Sequence, residues 1–416
     1  MAVAEAVEVA PATSGLKWRG DVVVVGAGIV GLAVAREWLK RRPDSRLLVI
    51  DKEPEIAAHQ SGHNSGVIHS GIYYAPGSLK ARACVAGAAR MMAYCDEHDI
   101  PYRLCGKMII ATEEEELPRL ETLFERGKAN GVPGLEMIGA EQLKEIEPHA
   151  VGLKALWSPK TGIVDYRQVA QSYATEIERS GGEIQTSAEV IGFEQRRGAT
   201  LVNTTLGDFE ATRVVTCGGL WADRLARLGG GDREPEIVPF RGDYFTLPPD
   251  RCHLVQTNIY PVPDPRFPFL GVHLTPRMNG EVWLGPNAVL AFARAGYSFP
   301  TVNVRDVVDT LRSTGFRRFA RAHWRTGLDE TRRDLSRRRF LASLQKFIPE
   351  LQLSDLHPGP SGVRAQALSS GGQLVDDFVF DRQAGMLHVR NAPSPAATSS
   401  LEIGGMIADE LAKMQI

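Results

Sequence analysis

The chain has 416 residues, 43% of them apolar, and its 48 Lys and Arg nearly balance 50 Asp and Glu for a formal net charge of -2. Enough apolar surface is present to offset chain entropy, which excludes wholesale disorder. The neutral balance excludes a dedicated nucleic-acid binder, which needs a basic excess to meet phosphates.

In chain order, residues 1–19 read as a loose tail. They lack the basic stretch and apolar core of a secretory signal and the early arginines of a mitochondrial presequence. Order is expected from Asp21. DVVVVGAGIVGLAVAREWLKRR runs from four valines through glycines into helical spacing, and RLLVIDKE follows as a second buried strand. Two continuous apolar strands around one helix make a βαβ unit of a parallel sheet. The apolar stretch from Val22 to Ala35 is too short to span a bilayer. HQSGHNSGVIHSGIYY, residues 59–74, reads as a polar loop, and 78–98, 113–130 and Tyr166 to Ser180 as helices. Strands with hairpin signals follow as far as Gly219. From Ile237 to Pro286, polar and apolar residues alternate as in an antiparallel sheet. Residues 303–347 are expected to be helical, and the chain closes with two strands, a loop and a helix.

The five cysteines, Cys84, Cys95, Cys105, Cys217 and Cys252, form no C-x-x-C pair. That pattern points to a reducing compartment and to neither a disulfide framework nor a zinc site. The predicted fold class is α/β with mixed α+β character. A Rossmann-like nucleotide-binding domain is assembled from discontinuous segments 20–75, 150–235 and 355–416. An antiparallel-sheet domain, 76–149 and 236–354, is inserted between them and carries the substrate.

Gly26, Gly28 and Gly31 form a G-x-G-x-x-G turn between strand and helix, where a pyrophosphate rests on the helix N-terminus. Asp51 ends the next strand, about 20 residues on, where an acid accepts from ribose hydroxyls. The motif alone does not choose between NAD and FAD. The loop holding Gln60, Ser61, His63, Asn64, Ser65, His69 and Tyr73 alternates small and polar residues that suit a flat ring system. No acid or thiol stands near its histidines, so no metal is expected. Gly218 and the strand edge at Val190 are candidates to pass close to a cofactor. Among PFRGDY and GVHLTPR, Arg241, Tyr244, His273 and Arg277 are candidate substrate contacts. His273 and Thr275 share one strand face, and a histidine there suits a general base. Arg364 follows a glycine, and its guanidinium fork suits a carboxylate. Ser394, Ala396, Thr398 and Ser399 precede the last helix, whose free amides would stabilise negative charge. Residues 317–339 carry nine arginines, a surface suited to anionic lipid or to solvent.

Long blocks carry a more specific signal: HQSGHNSGVIHSGIYY, KTGIVDYRQVA, IVPFRGDY, NIYPVPDPRFPFLGVHLTPRM, VWLGPNAVLAF, GVRAQAL, LVDDFVFD and LHVRNAPSPAATSS. Through them the chain, from Asp21 to about Leu411, resembles the L-2-hydroxyglutarate dehydrogenase/oxidase family of the FAD-dependent group that includes D-amino-acid oxidase. The resemblance implies that Gly26, Gly28, Gly31, Asp51 and Lys52 hold the pyrophosphate and adenosine ribose of FAD. It places Gln60, Ser61, His63, Asn64 and Ser65 near pyrophosphate and flavin, and Val190 and Gly218 near the adenosine half. Ser394, Ala396, Thr398 and Ser399 then meet the pyrimidine side of the flavin. It implies non-covalent FAD, although His63 matches a position of covalent attachment in distant relatives.

It further implies oxidation of L-2-hydroxyglutarate to 2-oxoglutarate, with the C2 hydride moving to flavin N5. Electrons pass on to a quinone, an electron-transfer protein or oxygen. Arg364 is the expected anchor for one carboxylate, Arg277 or Arg241 for the other, with Tyr244 and Tyr73 beside them. His273 is the first candidate base and His69 the second. The expected setting is cytoplasmic with peripheral contact to the inner membrane, or mitochondrial in a eukaryote. Three features depart from the family: Asp51 stands where Glu is usual, residues 317–339 are more basic, and the tail lacks targeting character.

Overall fold

Four consecutive valines fix how the first strand is buried. In β1 (Leu16–Val25), Val22 and Val24 pack beneath α1 (Ile29–Arg41) and the helices Tyr166–Arg179 and Ser400–Lys413, against Leu32, Trp38, Ile177 and Ile403. Val23 and Val25 face the other way, onto Phe209 and Val214. Side chains alternate sides along a strand, so an unbroken apolar run means that both faces are covered. The computed structural model describes residues 15–264, 271–298, 300–323 and 336–414.

β1 lies parallel between β2 (Leu47–Ile50) and Gly207–Thr216. Glu183–Gln185 and Met386–Asn391 extend the sheet in the same direction, the hairpin of Val190–Arg196 with Ala199–Thr204 adds to one edge, and Val379–Gln383, antiparallel to Met386–Asn391, completes eight strands. Order begins earlier than Asp21. Leu16 to Gly20 pairs with Asp208 to Ala211, and the Trp18 indole donates to Glu183 Oε1 at 2.6 Å. Only Trp18 is buried in that stretch, so it lacks the continuous apolar pattern of the valines.

The expected helices form as Leu79–Glu97 (α2), Leu117–Ala129 and Tyr166–Arg179. Ser78 caps α2 by accepting from Ala81 N at 3.1 Å, and Asp165 caps the third by accepting from Arg167 N at 2.9 Å.

A second sheet of nine strands runs in the order Val289–Leu290, Glu236–Thr246, Val282–Gly285, His273–Pro276, Asn258–Pro261, Lys107–Ala111, Lys154–Ser158, Glu136–Gly139, with His357–Leu368 along Glu236–Thr246. It is mixed rather than antiparallel, because Asn258–Pro261 runs parallel to Lys107–Ala111. These strands meet from two separate insertions, and no hairpin ties them. Lys154–Ser158 and His357–Leu368, expected with the nucleotide-binding segments, complete ladders of this second sheet instead. The chain therefore changes sheets after Ser158 and after Leu368.

One face of the second sheet buries Met108, Ile110, Ile259, Leu274 and Leu284 under Phe340 and Leu344 of the helix Arg337–Gln345. The alternate residues, including Ile109 and Tyr260, lie on the opposite face. His273 and Thr275 flank Leu274 and so share that face, as their spacing predicts.

The last helix sits close on α1: a Cβ added at Gly404 would lie 2.7 Å from the Ala33 carbonyl oxygen. Gly404→Ala should destabilise the fold by about 1–3 kcal/mol through this overpacking. A lowered urea midpoint checks it; an unchanged midpoint would mean that the two helices part freely.

Candidate active site

A cavity of about 1060 Å³ runs between the two sheets. That lies at the top of the ~300–1,000 Å³ span of ordinary ligand sites and suits a dinucleotide plus a small acid.

At the nucleotide end the three glycines have separate roles. Gly26, with φ +113°, passes so close to the residue that follows the neighbouring strand Gly207–Thr216 that a Cβ would be 2.4 Å from the Cys217 carbonyl oxygen. A Cβ at Gly31 would overlap the Gly26 oxygen at 1.9 Å. Gly28 meets only Ser61 Oγ, at 3.2 Å, and lines the cavity. Asp51 Oδ2 accepts from Ala27 N at 2.7 Å and its Oδ1 from Glu53 N at 2.9 Å. The short acid thereby fixes the glycine turn, and it also lines the cavity. Ser61 Oγ accepts from Ile29 N at 2.8 Å, over the first turn of α1. The positive end of α1, an open glycine and a carboxylate fit a pyrophosphate and a ribose.

Lys52, Gln60, His63, Asn64, Ser65, Val190, Gly218, Ser394, Ala396 and Thr398 line the same cavity. Ser399 does not, which corrects its expected role. It is packed against α2, where a Cβ at Gly87 would lie 2.7 Å from its Cα. His63 has both ring nitrogens near partners: Nδ1 is 3.3 Å from the Ser361 carbonyl oxygen and Nε2 3.4 Å from Arg167 Nη2. Among the described residues, no group of three or more His, Cys, Asp or Glu is placed to hold a metal ion.

At the other end His69, Tyr73, Lys80, Tyr244, Tyr260, His273 and Arg364 line the cavity. His273 Nδ1 lies 3.1 Å from the Gly271 carbonyl oxygen. A carbonyl only accepts, so Nδ1 carries the proton and Nε2 keeps its lone pair. The ring stacks on Tyr260 with centroids 4.0 Å apart and planes 14° from parallel. Burial, reinforced by the positive charges of Lys107 and Arg364, pushes His273 down to about 3. Burial likewise pushes His69 down to about 3, helped by Lys107, His273 and Lys80. Both imidazoles are neutral at physiological pH.

Two expected anchors lie elsewhere. Arg241 alternates with the cavity-lining Gly242 and Tyr244, so it projects from the other face; its Nε bonds Asp243 Oδ1 at 2.9 Å. Arg277 lies beyond the strand end with its guanidinium 4.0 Å from the Trp283 ring centre. Its Nη1 donates to the Asn64 carbonyl oxygen at 3.1 Å, bracing the loop rather than facing the cavity. Three residues at this end escaped the sequence reading. Lys80 lines the cavity with Nζ 2.6 Å from Asp376 Oδ1, Tyr260 supports His273, and the buried Lys107 ammonium lies against the Tyr73 and Tyr260 rings. The one signal for Lys107 was a charged residue opening the apolar strand KMIIA.

The profile of the FAD dependent oxidoreductases (DAO) matches residues 21–410. "L-2-hydroxyglutarate dehydrogenase, mitochondrial" of Nematostella vectensis is 54% identical over 94% of this chain and 90% of its own length. The protein of that name from Homo sapiens is 51% identical over 94% and 88%. This chain belongs to the L-2-hydroxyglutarate dehydrogenases of the FAD-dependent oxidoreductase family. A bacterial member, from Indibacter alkaliphilus, is 44% identical over 94% of this chain and 98% of its own length. The fold matches that of L-alpha-glycerophosphate oxidase from Mycoplasma pneumoniae, solved with FAD bound: TM-score 0.77, 21% identity, 95% of each chain covered. The family cofactor is FAD, and the residues at the nucleotide end fit it.

Removing the carboxylate at Asp51 frees the Ala27 amide and takes away the acceptor expected for the ribose. Asp51→Ala should weaken FAD binding about ten- to a hundredfold, the range for a lost charged hydrogen bond. Flavin titration of the apoprotein checks this; unchanged affinity would remove Asp51 from the site.

Proposed function

We propose that this chain oxidises L-2-hydroxyglutarate to 2-oxoglutarate. The observation that carries the reading is 44–54% identity, over nearly the full length, to proteins named for that activity. FAD, when bound, supplies the acceptor for the two electrons leaving C2 as hydride. The protein's part is to hold the acid and take the hydroxyl proton. Arg364 holds one carboxylate, because an acid stripped of water needs a charged partner. His273 takes the proton at Nε2, the nitrogen left bare by the bond to Gly271. Tyr244 and Tyr73 flank the acid, and His69, neutral as well, is the second candidate for the base.

FAD is held without a covalent bond. Of the side chains that bond flavins, His63 has both nitrogens near partners, and burial pushes the cavity-lining Cys217 thiol up to about 12, far from a nucleophilic thiolate. Acid precipitation should therefore leave the yellow colour in the supernatant; colour in the pellet would refute this.

The electrons pass to a quinone, an electron-transfer protein or oxygen. The setting is mitochondrial in a eukaryotic cell, as in the names of the animal relatives, and otherwise cytoplasmic. Arg317, Arg318, Arg321 and Arg337, Arg338, Arg339 are exposed and would meet anionic lipid at the inner membrane. Arg325, Arg332 and Arg333 lie outside the described residues. Among the described residues, no helix is long and apolar enough to cross a membrane.

Anaerobic L-2-hydroxyglutarate should bleach the flavin near 450 nm, and the D-enantiomer should not. His273→Ala should slow that reduction about 10²- to 10⁴-fold. Arg364→Ala should keep its flavin but raise KM by about 10²-fold or more. A His273→Ala enzyme reduced as fast as wild type, or an Arg364→Ala enzyme with unchanged KM, would take that residue out of the reaction.

A further inference from the structure

With Arg241 and Arg277 engaged elsewhere and Lys80 paired with Asp376, the substrate end has a cation at Arg364 and a second, hidden one. Lys107 is 2% exposed, and among the described residues no carboxylate lies within ion-pair distance of it. Its Nζ sits 3.6 Å from the Tyr260 ring centre and 4.4 Å from that of Tyr73. At 3.6 Å from the centroid it must lie over a ring face, since an in-plane approach would collide with the ring. His273 stacks on Tyr260 at 4.0 Å, and the two groups cannot share one face at such distances. The order is therefore Tyr73, ammonium, Tyr260, imidazole. Tyr73 and Tyr260 both line the cavity, and the Tyr73 hydroxyl is buried with no hydrogen-bond partner among the described residues.

A buried ammonium with no carboxylate to pair it is costly. A dicarboxylate substrate explains why one is kept. Its two negative charges favour the imidazolium form of any nearby histidine, and a protonated His273 is useless as a base. Arg364 offsets one charge. Resting on the proposed activity, we propose that Lys107 is a positioning residue: its ammonium, acting through Tyr260, offsets the second charge of a bound dianion and keeps His273 able to accept the hydroxyl proton.

The charged and titratable groups around this stack agree. His273 is faced by Lys107 and Arg364, and His69 by Lys107, His273 and Lys80. Lys107 is faced by the Cys84 thiol, which burial pushes up to about 12 and so leaves uncharged. Burial brings Lys107 itself down to about 7. In the free enzyme it therefore gains its charge as pH falls through neutrality, and a dianion draws it toward the charged form.

The test uses the FAD-loaded enzyme. Flavin reduction by L-2-hydroxyglutarate is followed by anaerobic stopped flow from pH 5 to 9 in wild type, Lys107→Met and Lys107→Arg, at saturating substrate. The acid limb of the rate should lie at least about one pH unit higher in Lys107→Met, equivalent to about tenfold at low pH, and Lys107→Arg should restore it. An unmoved limb in loaded Lys107→Met overturns the proposal. Binding gives a second readout through the flavin spectrum. Lys107→Met should lose about tenfold or more in affinity for the dianion 2-oxoglutarate and less than about threefold for the monoanion 2-oxobutyrate; equal losses overturn it.

If Lys107→Met does not hold flavin, wild type decides. Its 2-oxoglutarate affinity should fall from pH 6 to 9 more steeply than its 2-oxobutyrate affinity, and parallel curves overturn the proposal. Wild-type flavin that stays oxidised under L-2-hydroxyglutarate would refute the activity itself, and the titrations would still judge Lys107.

Discussion

On the proposed reaction, a base that must stay neutral beside a doubly charged acid is the constraint on which this molecule's design rests. Taking carboxylates out of water requires cations nearby. Those cations lower the basicity of any histidine among them, and the acid raises it again. His273 sits at the balance point, buried on the cavity wall under the influence of the Arg364 and Lys107 charges, with its proton pinned on Nδ1 by the Gly271 carbonyl. The balance depends on where each group sits, and the Tyr260 and Tyr73 rings hold the long Lys107 side chain with its ammonium 3.6 and 4.4 Å from their centres.

Strand parity supplies that placement. In the second sheet the residues that alternate with the buried Met108, Ile110, Ile259 and Leu274 are those that build the site. Lys107 stands opposite Asn258, Tyr260 opposite Ile109, and His273 one strand further on. A one-residue slip of any of these strands would send its contribution into the apolar layer under Phe340. The parallel seam between Asn258–Pro261 and Lys107–Ala111 is therefore more than a topological oddity. It is where the two insertions meet and where Lys107 is brought to Tyr260.

The nucleotide half was legible because its signals are local. Gly26, Gly28, Gly31 and Asp51 stand within one βαβ unit; the contact of Gly31 with Gly26 is made inside the turn, whereas Gly26 also packs on Cys217 and Gly28 on Ser61 from outside it. The valine run reported double-sided burial directly. His273 and Thr275 were legible for the same reason, since a period of two needs only the strand itself. Arg241 and Arg277 misled because residue type was all that the sequence offered. Whether an arginine meets a substrate or an Asp243 carboxylate two residues away depends on which strand face turns inward, and that is fixed by partners far along the chain. Ser399 failed similarly: it shares the composition of its neighbours but is turned onto α2. The early start at Leu16 was hidden because an edge-like strand with one buried residue carries too little pattern to register.

Lys107 shows the limit most clearly. In sequence it is a polar residue at the mouth of an apolar strand, the commonest place for a solvated lysine. Its meaning comes from three rings drawn from residues 73, 260 and 273, separated from it by up to 166 positions, and from the absence, among the described residues, of a carboxylate beside it. A fold under selection for stability alone would place methionine or leucine there, because an apolar side chain of that size fills the space without desolvating a charge. Keeping the ammonium lowers stability in the empty enzyme, and only an anionic ligand returns that free energy. On the role proposed for it, the penalty falls on the resting state and the compensation arrives with the acid, so Lys107 would tie the affinity of the site to the number of charges that its ligand carries.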